Sequence, residues 1–157
     1  MPQTTDIYVI VSIYVYLARS KCVKSQQKAG YIMEDIRMQQ VEALEVGVEY
    51  VQKLIPAVKE ILPELRGEKK EDTMDFLNQI IDGINFMIDI VNATMPLINE
   101  KEEILNKDGI EEKVQLLNAG LQARDNVKTA QALEEGILPF MDIFYQVASI
   151  ILAGEKA

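Results

Sequence analysis

From Val41 onward the apolar residues fall at Val41, Leu44, Val48, Val51, Ile55, Val58, Leu62 and Leu65, in alternating steps of three and four. A strand cannot carry that pattern, because its side chains change face at every residue. The spacing is a heptad seam, and it predicts one long helix from about Met33 to Leu65. Glu42, Glu45, Glu49, Gln52, Lys53, Lys59 and Glu60 lie between the seam residues and form a solvated face. Pro56 and Pro63 fall inside this helix, where each removes a backbone donor and crowds the preceding turn. The seam keeps its register across Pro56, so a kink is expected there rather than a break. Gly67, just after Arg66, suits the left-handed position that ends many helices.

The same period recurs along the rest of the chain. Glu68 to Glu71 reads as a charged loop, and Asp72 or Thr73 as the cap of a second helix. Its seam is Leu77, Ile80, Ile84, Met87, Val91 and Ile98, with a second row of Met74, Ile81, Ile88 and Met95 beside it. So wide an apolar face predicts a central helix. Pro96 should kink or split it. Asn106-Lys107-Asp108-Gly109 is a turn by composition. Asp108 and Glu111 resemble a capping box for a third helix, with Ile110, Val114, Leu117 and Leu121 inward. Asp125 or Asn126 caps a last helix to about Leu152, carrying Val127, Ala130, Leu133, Ile137, Phe140, Met141, Phe144 and Val147. Pro139 kinks it and Gly154 ends it. The expected fold is all-α: a four-helix-type bundle with long Pro-kinked helices over residues 33–157, plus an apolar N-terminal arm over residues 1–32.

Pro56, Pro96 and Pro139 each sit within a hydrophobic-Pro-hydrophobic core, 40 and 43 residues apart. That is near the period of paired-helix repeats. Three kinked helices of one bundle account for it better, and a shared kink level would open a groove there.

The composition breaks near residue 32. Residues 1–32 hold one acid (Asp6) and four bases (Arg19, Lys21, Lys24, Lys28), net +3, while residues 33–157 hold 24 acids and 12 bases, net −12. Ile7 to Ala18 is an apolar run, shorter than the ~18 residues a membrane span needs. The neutral-to-acidic start is unlike a signal peptide. Lys21 before Cys22 is unlike a lipoprotein signal. An arm packed on the bundle is the plain reading. A second reading makes Met33 the true start: Ala29-Gly30 can be encoded by a purine-rich AGGA stretch placed as a bacterial ribosome site would be. Codons lacking that core would refute it.

Charge and residue types then exclude much chemistry. The net charge of −9 repels phosphate backbones and no basic patch offsets it, so no nucleic-acid partner is expected. The same balance argues against anionic lipid and a membrane partner. The single cysteine, Cys22, permits no internal disulfide, in keeping with a cytoplasmic location. Histidine is absent, which removes the commonest general base and transition-metal ligand. A di-iron bundle would need Glu-x-x-His pairs, so that site is excluded. Glu42, Glu45 and Glu49 share a face, as do Asp75, Asp82 and Asp89. Asp82 and Asp89 interrupt an apolar helix, and a narrow solvated face is favoured there over a metal site. Met74, Met87, Met95 and Met141 read as core filling rather than an adaptable binding surface. Asn78, Asn85 and Asn92 form a row that either sets register or is exposed. Lys21 and Lys24 beside Cys22 favour its thiolate, yet no histidine can serve it as a base. There is no P-loop, no Gly-x-Gly-x-x-Gly and no nucleophile elbow. No enzyme is expected, no cofactor is implied, and no catalytic, cofactor-binding or metal residue is assigned.

The stretch Gln122 to Gln146, QARDNVKTAQALEEGILPFMDIFYQ, resembles a segment of small uncharacterised helical-bundle proteins of Gram-positive bacteria. There an Asp-led helix with a Leu-Glu pair runs into a leucine-Pro-leucine kink. Asp125, Leu133, Glu134, Leu138 and Pro139 carry the match, and Gln131 and Gly136 depart from it. The whole layout is similar, at the level of fold alone, to flagellin-export chaperones, small acidic bundles that clamp a partner's helix. The functional reading put first is a non-catalytic interaction module, because the heptad seam is longer than one small bundle usually needs. It would bind a partner helix in a groove between kinked helices or self-associate through the heptad seam. Two other readings stand beside it: a small-molecule or metal-binding bundle using Asp82 and Asp89, and membrane association through residues 7–18.

Overall fold

The computed structural model describes residues 29–156. Among them are four packed helices and no strand. Helix α1 spans Ala29–Arg66, α2 Thr73–Ile98 and α3 Lys107–Gln122. Helix α4 spans Asn126–Glu155 and contains a π-helical segment, Leu133–Ile137. The apolar run at 7–18 and Cys22 lie outside the described residues. Helix α1 is already helical at Ala29, the first described residue, and crosses the 32/33 boundary unbroken.

The 38 residues of α1 reach about 57 Å at helical rise, and the other helices are laid along it. Leu44, Val51, Val58, Leu62 and Leu65 of its seam are buried, and Val41, Val48 and Ile55 are half-buried. Helix α2 returns antiparallel in one register. Thr73 meets Glu64, the Phe86 ring packs edge-on to Tyr50 with centroids 4.7 Å apart, Ile90 meets Gly47, and Glu100 just past α2 meets Arg37. Helix α4 is antiparallel on another side of α1. Glu134 pairs with Arg66, Tyr145 with Gln52, Phe144 with Gly47, and Glu155 with Arg37. The heptad seam is thus consumed inside the molecule. Helix α3 packs chiefly on the first part of α4.

Gly47 is where three helices close on one another. A Cβ there would stand 2.8 Å from Cζ of Phe144 and 3.0 Å from Cγ2 of Ile90, both fully buried. Gly120 does the same between α3 and α4, where a Cβ would meet the backbone nitrogen of Thr129 at 2.9 Å.

Each internal proline faces water. Pro56, Pro63, Pro96 and Pro139 are all exposed, and so are Gln52, Lys59, Asn92 and Glu135, the residues whose carbonyls would pair with them in a regular α-helix. The prolines therefore do not meet at one level inside the bundle. Pro96 lies in the last turn of α2 and does not split it. Pro139 follows directly on the π-helical turn, which widens the backbone just where the ring would strike the preceding carbonyl.

The helix ends differ from expectation in several places. Asp125 caps α4, its side chain accepting from the Lys128 amide at 3.0 Å. The cap of α3 is Asn106, accepting from the Gly109 amide at 2.6 Å, so the cap stands two residues before Asp108. Asp72 precedes α2 but makes no side-chain cap bond. Instead the Thr73 hydroxyl accepts from the Lys70 amide at 2.7 Å and donates to Oε1 of Glu64 at 2.9 Å. Gly67 does not take a positive φ, and among the described residues the one that does is Arg124, at φ 52°, between α3 and α4. The amide of Asp125 reaches back to the Gly120 carbonyl at 3.0 Å, which closes a Schellman-type turn around it. Two expected core residues are outside: Met74 is 40% exposed and Val127 58%.

Candidate functional site

Helix α4 starts from the Asp125 cap and turns its apolar residues toward α1. Leu133 and Ile137 are buried at either end of the π-helical segment, and Leu138, Phe140, Met141, Phe144, Ala148 and Leu152 are buried after it. Phe144 lies over Gly47, and the Tyr145 hydroxyl accepts from Nε2 of Gln52 at 3.1 Å. At the far end Arg37 bridges Glu155 at 2.6 Å and Glu100 at 2.8 Å, which ties α4, α1 and the end of α2 together.

The outward side of this helix is unlike the rest of the surface. From Ile143 to Gly154 there are twelve residues without a charge, between Asp142 and Glu155, in a chain that is 26% charged. Ile143 is 41% exposed and Ile150 72%, with half-buried Val147 between them at helical spacing. Gln146, Ala153 and Gly154 are exposed beside them. Among the described residues, α3 ends its packing on α4 before this stretch, α2 barely touches it, and no other helix covers its outward side. The solvated face of α1, by contrast, carries Glu45, Glu49, Lys53, Lys59 and Glu60.

The carboxylates singled out in the sequence are not gathered. Asp75, Asp82 and Asp89 are exposed along α2, and Asn78, Asn85 and Asn92 are exposed too, which leaves the latter no register-setting role. Among the described residues no three acidic or cysteine side chains stand close enough to hold a metal ion. Asp82 acts on Tyr50 instead. Burial, and then the Asp82 charge, push the Tyr50 phenol above its ordinary pKa. Met87 and Met141 are core, as expected, and Met95 is half-buried.

Sequence reasoning missed Ile143 and Ile150. The signal was present as the longest uncharged run after residue 33, but the inward seam alone was read. It also missed Glu64, a carboxylate 8% exposed that takes the Thr73 hydroxyl, because its partner is nine residues away across a loop.

A family model described as a domain of unknown function, DUF8042, matches residues 42–147. The chain belongs to that family. The match runs from α1 through all four helices and takes in Ile143 and Val147. No curated protein and no solved structure matches. Two helices, Thr73–Ile98 and Asn126–Glu155, are long and apolar enough to cross a membrane by length and composition, with 50% and 44% of their apolar windows buried inside the bundle.

Proposed function

We propose that this member of the family is a non-catalytic protein-interaction module of the bacterial cytoplasm, and that the uncharged face of α4 receives an apolar helix of a partner protein. One observation carries the reading: Ile143, Val147 and Ile150 form a contiguous apolar stripe on a helix face that no neighbour covers among the described residues. The resemblance of Gln122 to Gln146 to small helical bundles, and of the layout to chaperones that clamp a helix, supports it.

A partner helix would bury residues at i, i+4 and i+7 on one side, the usual helix-in-groove geometry. Complete burial of one isoleucine side chain contributes about 1.5–3 kcal/mol, and with 41% and 72% of their surface still exposed Ile143 and Ile150 together supply roughly one such burial toward a modest complex. The heptad seam of α1 is already occupied within the molecule and is not available for self-association. Nothing in the arrangement of Asp82 and Asp89 favours a metal or small-molecule reading.

The test is chemical cross-linking followed by affinity capture from the native cells, with wild type and Ile150→Glu run side by side. A protein held by wild type and lost from Ile150→Glu, with the helical circular dichroism unchanged, is the expected result. Equal capture by both, or none by either, sinks the reading.

A further inference from the structure

We propose that the helix received by the uncharged face of α4 is basic at both ends: about three apolar turns between flanking lysines or arginines. The inference rests on reading that face as the interaction site and adds the chemistry of the partner.

Charge around the face points to this occupant. The uncharged stretch is bounded by Asp142 and Glu155 and is about 17 Å long at helical rise. At the Glu155 end, Arg37 is already held between Glu100 and Glu155. Glu34 and Asp35 stand within a turn of Arg37, and Glu102 and Glu103 follow Glu100, all four exposed. Lys101 and Lys156 are the bases beside them, so this end is acidic on balance. Helices α2 and α4 both finish here, and neither has a base in its last turn. Each leaves about half a negative elementary charge on its last carbonyls.

The Ile143 end is acidic by a different route. Gly120 of α3 meets Thr129, and Lys113 of α3 stands by Gly136, so α3 runs antiparallel to α4. Its first turns therefore extend past Gly136 toward Ile143, and they bring exposed Asp108, Glu111 and Glu112 against Lys107. Asp142 adds an exposed carboxylate that forms no ion pair among the described residues. An apolar surface between two acidic ends is complementary to an apolar helix between two basic ends. A second copy of this chain brings the same acids and is repelled, and so is an anionic lipid surface. The charges act chiefly on the rate of encounter, and the apolar contact on how long the complex lasts.

The experiment mixes the full chain with three synthetic helical peptides that share one leucine–alanine core and end, on both sides, in lysines, serines or glutamates. In 15N spectra the lysine peptide should move the amides of residues 143–154. Ile150→Ser, which changes no charge, should abolish those shifts while the helical dichroism persists. In stopped-flow fluorescence the lysine peptide should associate at least about tenfold faster than the glutamate peptide in dilute buffer. The difference should vanish in about 1 M salt, where screening acts over about 3 Å. Asp142→Asn should slow the lysine peptide and leave the serine peptide unchanged. Equal rates for all three peptides at this face overturn the proposal and leave the interaction reading standing. Lysine-peptide binding that survives Ile150→Ser means that the acids alone hold it, and both readings fall. No shift with any peptide overturns the proposal, and capture from the native cells then decides the interaction reading by itself. A dimer in sedimentation that is lost in Ile150→Ser makes a second copy the occupant and overturns the proposal too.

Discussion

Gly47→Ala should destabilise the protein even though alanine is the better helix former. Position 47 lies mid-helix in α1, where replacing glycine by alanine contributes about 0.8–1 kcal/mol of helix propensity. Against that stands the new methyl. It would arrive 2.8 Å from Cζ and 3.1 Å from Cε1 of Phe144, and 3.0 Å from Cγ2 of Ile90. Phe144 and Ile90 are fully buried, so neither can swing into solvent to make room. Overpacking of a closed core costs about 1–3 kcal/mol, and the net loss expected is therefore up to about 2 kcal/mol. In a chain of this length that lowers Tm by roughly 4–8 °C. Gly67→Ala is the control: nothing lies within 4 Å of its Cβ and its φ is not positive, so that variant should be neutral or slightly stabilised. Urea titration followed by far-ultraviolet circular dichroism measures both. Phe144→Leu, which removes the ring atoms in the way, should couple favourably with Gly47→Ala, by about 0.5–3 kcal/mol in a double-mutant cycle. A Gly47→Ala protein stabilised as much as Gly67→Ala would refute the three-helix crossing.

Thr73→Val strands the Glu64 carboxylate in a buried setting without its donor, and should cost about 1–3 kcal/mol in the same titration, while Thr73→Ser should cost much less. Arg124→Gly should raise stability by up to about 1 kcal/mol, because a left-handed φ strains every side chain with a Cβ and glycine relieves it; a loss in chemical denaturation would contradict the turn as described. Tyr50 gives the pH dependence. Its folded pKa is raised, so the stability it contributes is present below the unfolded value of about 10 and is lost as pH rises through the folded value. Asp82→Asn should move the Tyr50 titration back toward the ordinary range in the ultraviolet difference spectrum against Tyr50→Phe, and an unmoved titration would remove Asp82 as a cause.

Period was legible in the sequence and neighbours were not. The steps of three and four identify which side of α1, α2 and α4 turns inward, and Leu44, Leu77 and Phe144 are buried as that rule requires. The rule says nothing of where a neighbouring helix stops. Met74 and Val127 keep the inward phase but sit in first turns, near helix ends where less packs over them. Caps were legible where one short polar residue stood alone, as at Asp125. They were not where two candidates competed, since Thr73 turned its hydroxyl to Glu64 and Asn106 preceded the more box-like Asp108 and Glu111. The Arg37 bridges join residues up to 118 positions apart, beyond any local pattern.

The prolines show how local chemistry and the candidate face are connected. A proline inside a helix costs about 3 kcal/mol relative to alanine, and a carbonyl it leaves unpaired among apolar neighbours adds to that cost. Here the four internal prolines and the residues four positions before them are all exposed, so water can satisfy the carbonyls that lose a donor. The outer faces of α1, α2 and α4 therefore have to stay wet at those points. On α4 that point is Pro139, and the uncharged stretch begins only at Ile143, one turn later. The π-helical turn before Pro139 adds backbone length and resets the helix phase, so the stripe of Ile143, Val147 and Ile150 is not a continuation of the side on which α3 packs. One helix thus has two different outer surfaces in sequence: the side covered by α3 over its first third, and over its last half the uncharged stretch from Ile143 to Gly154.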